Sequence, residues 1–289
     1  LPADIGYTSV ELIEFRGWLN DLIAEEIDDP KVVEAELNAF TAFLGIKDFE
    51  SEFLDLFGPE VSLIFSPQLP VGEVWKYPLP AAAAAIQVKD PQRVSKFLAK
   101  AFDQVMGDMH TDHAAQQEQL ADDQRKPFPF EGESITRGDA TFTRVRMHEN
   151  YLGEALSPAF GVIGNFLYIS SSHRLLEGVI DATRDNDPLA EQPPFKAVEA
   201  RLRKPQSGHW FIAPYHMTNA FIPLAFSYIN THQEWSKIEK AGHIQRLRDA
   251  SAIGAIFESI AFATSSKDGI REVHLVTEFS KPKRRPEPE

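Results

Sequence analysis

Cysteine is absent from all 289 residues, which excludes disulfides, thiolate metal sites and thiol nucleophiles in one step. Basic residues are scarce: 29 Lys and Arg face 43 Asp and Glu, for a formal charge of −14. Phosphate backbones are bound by clustered cations that release counterions, so nucleic acid is excluded from the expected partners. No apolar run reaches the roughly 18 residues a spanning helix requires, because Pro, Asn, Ser and His interrupt the longest ones. Gly-x-Gly-x-x-Gly, Gly-x-x-x-x-Gly-Lys-Ser/Thr and His-Glu-x-x-His are all missing, so nucleotide-driven chemistry has no basis here and no cofactor is expected. The first residue is Leu1 rather than Met, as expected of a chain trimmed after export.

What is present is a folding sequence. Hydrophobic residues make up 43% and aromatics 11%, with 21 Phe, and a chain of this length buries about 75% of its unfolded surface. The acidity is uneven, since residues 1–60 hold 15 Asp and Glu against 3 Lys and Arg. Such a solvated face serves solubility or a basic partner.

Periodicity sets the expected elements. Residues 5–12 read as a strand entering a helix with the stripe Phe15, Trp18, Leu19, Leu22 and Ile23. Helices follow after Asp28-Asp29-Pro30, ending at Gly45, and over 49–57, ending at Gly58-Pro59. A strand at 61–65 leads into a Pro/Gly-rich loop at 66–80, then a strand at 81–88. Asp90 caps the next helix, Pro91 takes its first position, and Val94, Phe97, Leu98, Phe102 and Val105 form its buried stripe. Residues 107–133 lose periodicity and read as a long polar excursion, in part helical.

Three hairpins are expected: 133–137 with 140–148 around Gly138-Asp139, 160–163 with 166–170 around Gly164-Asn165, and 256–264 with 270–279 around Asp268-Gly269. Helices are expected near 173–183, 195–203, 217–230 and 235–248, and residues 280–289 as a flexible tail. Hairpin links between strands argue for α+β: a curved, mostly antiparallel sheet packed by amphipathic helices. The expected organisation is one domain over 1–279. A strand-cap-helix echo at 86–102 and 167–180 leaves open a duplicated ββα unit, with pseudo-repeats of about 1–132 and 133–279.

Four patterns carry candidate chemistry. Asp108, His110, Asp112 and His113 are the densest set of metal-ligand types, although zincin spacing and its Glu are missing. Ser170-Ser171-Ser172-His173 lies where a strand enters a helix; without Gly-x-Ser-x-Gly around it, capping explains the hydroxyls. Arg137-Gly138-Asp139 matches a short adhesion tripeptide, and turn geometry alone accounts for Gly-Asp there. Residues 205–233 contain no Asp, Glu, Lys or Arg. In that stretch Met217, Phe221, Leu224 and Tyr228 share one helical face while Ile222, Phe226 and Ile229 share the next. A helix this apolar is either the central core helix or the place where an apolar ligand or partner docks, which makes Trp210, Met217, Phe221, Phe226 and Tyr228 the candidate binding residues.

Several stretches resemble a bacterial secreted family known only as a domain of unknown function, number thirty-three fifty-two of its series. They are Leu1-Pro2-Ala3-Asp4, Leu44-Gly45-Ile46, the run from Asp55 to Leu63, the run from Ala159 to Ser172, and the hairpin from Thr264 to Gly269. The resemblance implies an extracytoplasmic (periplasmic or secreted) α+β protein whose signal peptide precedes Leu1. It supplies no functional residue.

The expected function is therefore a non-catalytic extracytoplasmic binding or accessory protein that engages an apolar small molecule, a lipid or other envelope component, or a partner protein. Two alternatives stand beside it. One is a metal-dependent hydrolase on His110 and His113, with Asp108 or Asp112 as third ligand and bound water as nucleophile. The other is an accessory subunit that meets a larger assembly through the acidic helices of residues 11–60.

Overall fold

Local chemistry starts the longest helix where it should. The Asp90 carboxylate accepts the Arg93 amide at 3.0 Å, and Pro91 occupies a first-turn position that needs no N–H. The computed structural model describes residues 1, 5, 7–12, 17, 30–67, 80–147, 156–185, 189–202, 207–232, 234–267 and 270–280. The helix expected around Phe15 to Ile23, the turn at Asp268-Gly269 and the tail beyond residue 280 lie outside them.

The described residues form ten strands: β1 Tyr7–Leu12, β2 Phe57–Pro67, β3 Pro80–Val88, β4 Phe130–Arg137, β5 Ala140–Met147, β6 Ala159–Ile163, β7 Phe166–Ser170, β8 Gly208–Ile212, β9 Phe257–Lys267 and β10 Ile270–Phe279. The helices are α1 Pro30–Leu44, α2 Phe49–Glu52, α3 Pro91–Glu118, α4 His173–Arg184, α5 Pro193–Glu199, α6 Pro214–Thr231 and α7 Lys237–Gly254. The fold is α+β with antiparallel pairing, as the hairpin pattern predicts. The chain divides into two compact units. The first comprises Leu1–Val10, Leu63–Ala82 and Asp181–Glu289, the second Glu11–Ser62 and Ala83–Ile180.

In the second unit the strands run β2-β3-β7-β6-β5-β4. The hairpins β4/β5 and β6/β7 turn at Gly138 and Gly164, whose φ values of 61° and 58° are the left-handed conformation such turns require. Leu56, Val88, Val94 and Leu167 form a core against which Phe57, Ile86, Phe97, Leu98 and Val162 pack. Tyr168 is 8% exposed, and burial together with the Glu60 carboxylate pushes its phenol up to about 12.

Two expectations in this unit are corrected. The helix over 49–57 is shorter: Asp48 caps α2 by accepting the Ser51 amide at 2.7 Å, a 3-10 turn covers Leu54–Leu56, and Phe57 already begins β2. The excursion expected over 107–133 is helical over its first part: residues 107–118 continue α3 rather than forming a separate polar segment. Their side chains lack apolar periodicity because they are solvated, while the run after Gly107 contains no helix breaker.

In the first unit the order is β10-β9-β8-β1. Strand β8 lies inside the uncharged stretch, in a place where no strand is expected from its sequence. It pairs with β9 from Gly208↔Thr264 to Ile212↔Ile260. Helix α7 is fixed at its start by a capping box: Ser236 Oγ accepts the Glu239 amide at 3.3 Å, and the Glu239 carboxylate accepts the Ser236 amide at 2.8 Å.

Candidate functional site

Strand alternation divides β8 into two faces. Trp210 lies on one and stacks on Phe262, ring centroids 4.6 Å apart and 10° from parallel. Phe211 lies on the other and is 2% exposed. Register carries this second face across the sheet through Phe211↔Ala261 and Ala261↔Val276 to Ser259↔Glu278. Helix α5 packs near it: the Ser259 hydroxyl donates to the Pro194 carbonyl at 3.1 Å, and the Phe195 ring lies 5.0 Å from that of Phe211.

At the end of this face the β9/β10 ladder slips. Glu278 pairs with Ser259 and Phe279 with Phe257, so Glu258 is an extra residue on β9. A bulge of this kind re-aims side chains, and both Phe257 and Glu258 line the same cavity.

That cavity has a volume of about 670 Å³. Its apolar walls are Phe195, Ala197, Phe211, Phe257 and Tyr215, and its polar groups include Gln192, His216, Glu258 and Glu278. Glu278 is held by the Arg201 guanidinium, which also donates to the Thr277 carbonyl at 3.4 Å. Near the Phe195 ring, burial lowers the affinity of His209 for a proton while the Glu199 carboxylate opposes that shift.

The second unit has a cavity of another kind. It measures about 170 Å³ and is lined by Phe43, Leu44, Phe53, Leu56, Phe57, Val94, Phe97, Leu98, Ala101 and Leu167, none of which has a polar side chain.

The five binding residues expected from the sequence are not among those lining the 670 Å³ cavity. Met217 and Phe226 are half-buried, while Phe221 and Tyr228 are 43% and 59% exposed on α6. The uncharged stretch still reaches the cavity, through its neighbouring residues Phe211, Ala213, Tyr215 and His216. Phe195, Phe257, Glu258 and Glu278 come from elsewhere in the chain and have no local sequence signal. Tyr228 instead joins an aromatic cluster in which Trp235 lies 4.3 Å from both His232 and His243, stacked on the latter.

Asp108, His110, Asp112 and His113 occupy the later turns of α3. The two imidazoles do share a face, but that face meets Phe128 at 5.1 and 5.5 Å. Among the described residues no group of three or more His, Asp or Glu is placed to hold a metal. Ser170 closes the β7–α4 junction, its hydroxyl donating to the Ser172 carbonyl at 2.8 Å and accepting the Ser172 amide at 3.1 Å. Arg137 reaches Glu177 at 3.6 Å beside its hairpin turn.

No protein-family model, curated protein or solved structure matches this chain.

Proposed function

We propose that the protein is a non-catalytic binding protein of the extracytoplasmic space that holds a small, largely apolar ligand in the first unit's cavity. The observation that carries this reading is a 670 Å³ space walled by Phe195, Phe211, Phe257 and Tyr215. Ligand sites are typically concave and mainly apolar, with a few polar groups that fix orientation, and volumes of about 300–1,000 Å³ are usual. Glu278 serves recognition better than chemistry, because Arg201 already engages its carboxylate.

The test is titration with N-phenylnaphthylamine, a neutral apolar dye whose emission rises on leaving water. The expected result is saturable binding at one dye per chain, lost when Ala197→Trp fills the cavity in a protein that still folds. Binding that does not saturate, or that Ala197→Trp leaves unchanged, overturns the reading. The cellular setting is checked by fractionating source cells, and recovery of the chain in the cytosol counts against it.

A further inference from the structure

The cavity's charges point to the ligand's own charge. Glu258 and Glu278 both line it, and no Lys or Arg does among the described residues. Arg201 offsets Glu278 from beside the cavity. Glu258 is different: among the described residues no ion pair or hydrogen bond reaches its side chain. It lines the cavity at the bulge, the irregularity that places it there beside Phe257.

One opposing influence is present. The first turn of α6 reaches the cavity at Tyr215 and His216, and its N-cap, Ala213, offers no capping side chain. A helix N-terminus is worth about half a positive charge. Among the described residues, the carboxylates of Glu258 and Glu278 together outweigh this influence and the Arg201 guanidinium, so the described charges at the cavity sum to negative.

We infer that the ligand of this cavity is an amphiphilic cation: an aryl or alkyl body held against Phe195, Phe211 and Phe257, carrying an ammonium or guanidinium group directed to Glu258. This rests on the proposed binding role and adds the charge to it. The aromatic walls reinforce the preference, since a cation over a ring face is attracted by the ring quadrupole. A neutral ligand would leave Glu258 without an ionic partner, and an anionic one would face it directly.

Three probes with one body and different heads separate these cases: phenylbutylamine, phenylbutanol and phenylbutyrate, each titrated calorimetrically and by displacement of the neutral dye. The amine is expected to bind about threefold to tenfold more tightly than the alcohol, the range of a partly solvated cation-carboxylate and cation-ring contact. The carboxylate probe should bind most weakly. Glu258→Gln, an isosteric change at an exposed position, should bring the amine to the alcohol's affinity and leave the alcohol unmoved. Equal affinities, a stronger acid, or a preference that survives in Glu258→Gln overturns the inference. If the dye binds and the amine fails to displace it, the inference falls while the binding role stands; if neither dye nor probe binds, both fall.

Discussion

The two cavities set apart two ways of using empty space. The second unit's is small and bounded only by hydrocarbon and phenyl side chains, which offer water no hydrogen-bond partner. The first unit's is about 670 Å³ against about 170 Å³ and mixes phenyl walls with carboxylate, imidazole and amide groups. The contrast teaches that volume alone does not define a site. An apolar gap lined by packing residues offers a ligand only hydrophobic contact, whereas a space with placed polar groups can discriminate between ligands.

Mutations that compare the walls give the largest effects. Leu56→Ala removes a 5%-exposed side chain from the smaller cavity's lining and should cost about 3–4 kcal/mol by urea unfolding. Phe257→Ala at the half-buried wall of the larger cavity should cost about 1–2 kcal/mol; equal losses would erase the distinction. Gly161→Ala tests the packing of the second unit from the opposite direction. A Cβ there would lie 2.7 Å from Phe142 Cβ and 2.9 Å from its Cα, so a loss of about 1–3 kcal/mol is expected. Benzene sharpens the comparison further: at a few times its dissociation constant it should stabilise the protein by about 1 kcal/mol, and Ala101→Phe, which fills the smaller cavity, should abolish the effect. A gain that persists in that variant would place benzene elsewhere.

The smallest effect is a pH dependence confined to the first unit. Burial depresses the proton affinity of His209 below its ordinary 6.5, so the unfolded chain binds the proton more readily than the folded one. The stabilisation is fully present above about pH 6.5 and is lost as pH falls toward the folded-state value. The urea midpoint should therefore drop more steeply below that pH in the native protein than in His209→Gln. Parallel slopes would mean that His209 makes no contribution.

How much was legible in the sequence follows from the range of each signal. The start of α3 was readable because Asp90 and Pro91 act within one turn, and the β4/β5 and β6/β7 hairpins because Gly138 and Gly164 carry their turn chemistry locally. How far α3 runs past Gly107 is not legible, because a solvated helix has propensity without an apolar stripe. At the candidate site the uncharged stretch supplies Phe211, Ala213, Tyr215 and His216 to the cavity lining, while Trp210, Met217, Phe221, Phe226 and Tyr228 are not among the lining residues. Trp210 and Phe211 are adjacent and equally apolar, and only the sheet decides which of them faces the cavity. The bulge at Glu258 depends on the register between β9 and β10, which no single strand encodes. His110 and His113 read as part of a polar loop; α3 instead puts them on one helical face against Phe128, a partner that no local pattern supplies.

The far end of α3 has a practical use. Its 28 residues make a rod roughly 40 Å long, and residues 118–127, where it turns back toward β4, are all exposed. A peptide epitope or fluorescent label spliced between Leu120 and Ala121 would be displayed at the tip of that rod, as insertions at exposed loop tips usually are, giving a handle for pull-down or imaging while both cavities stay intact.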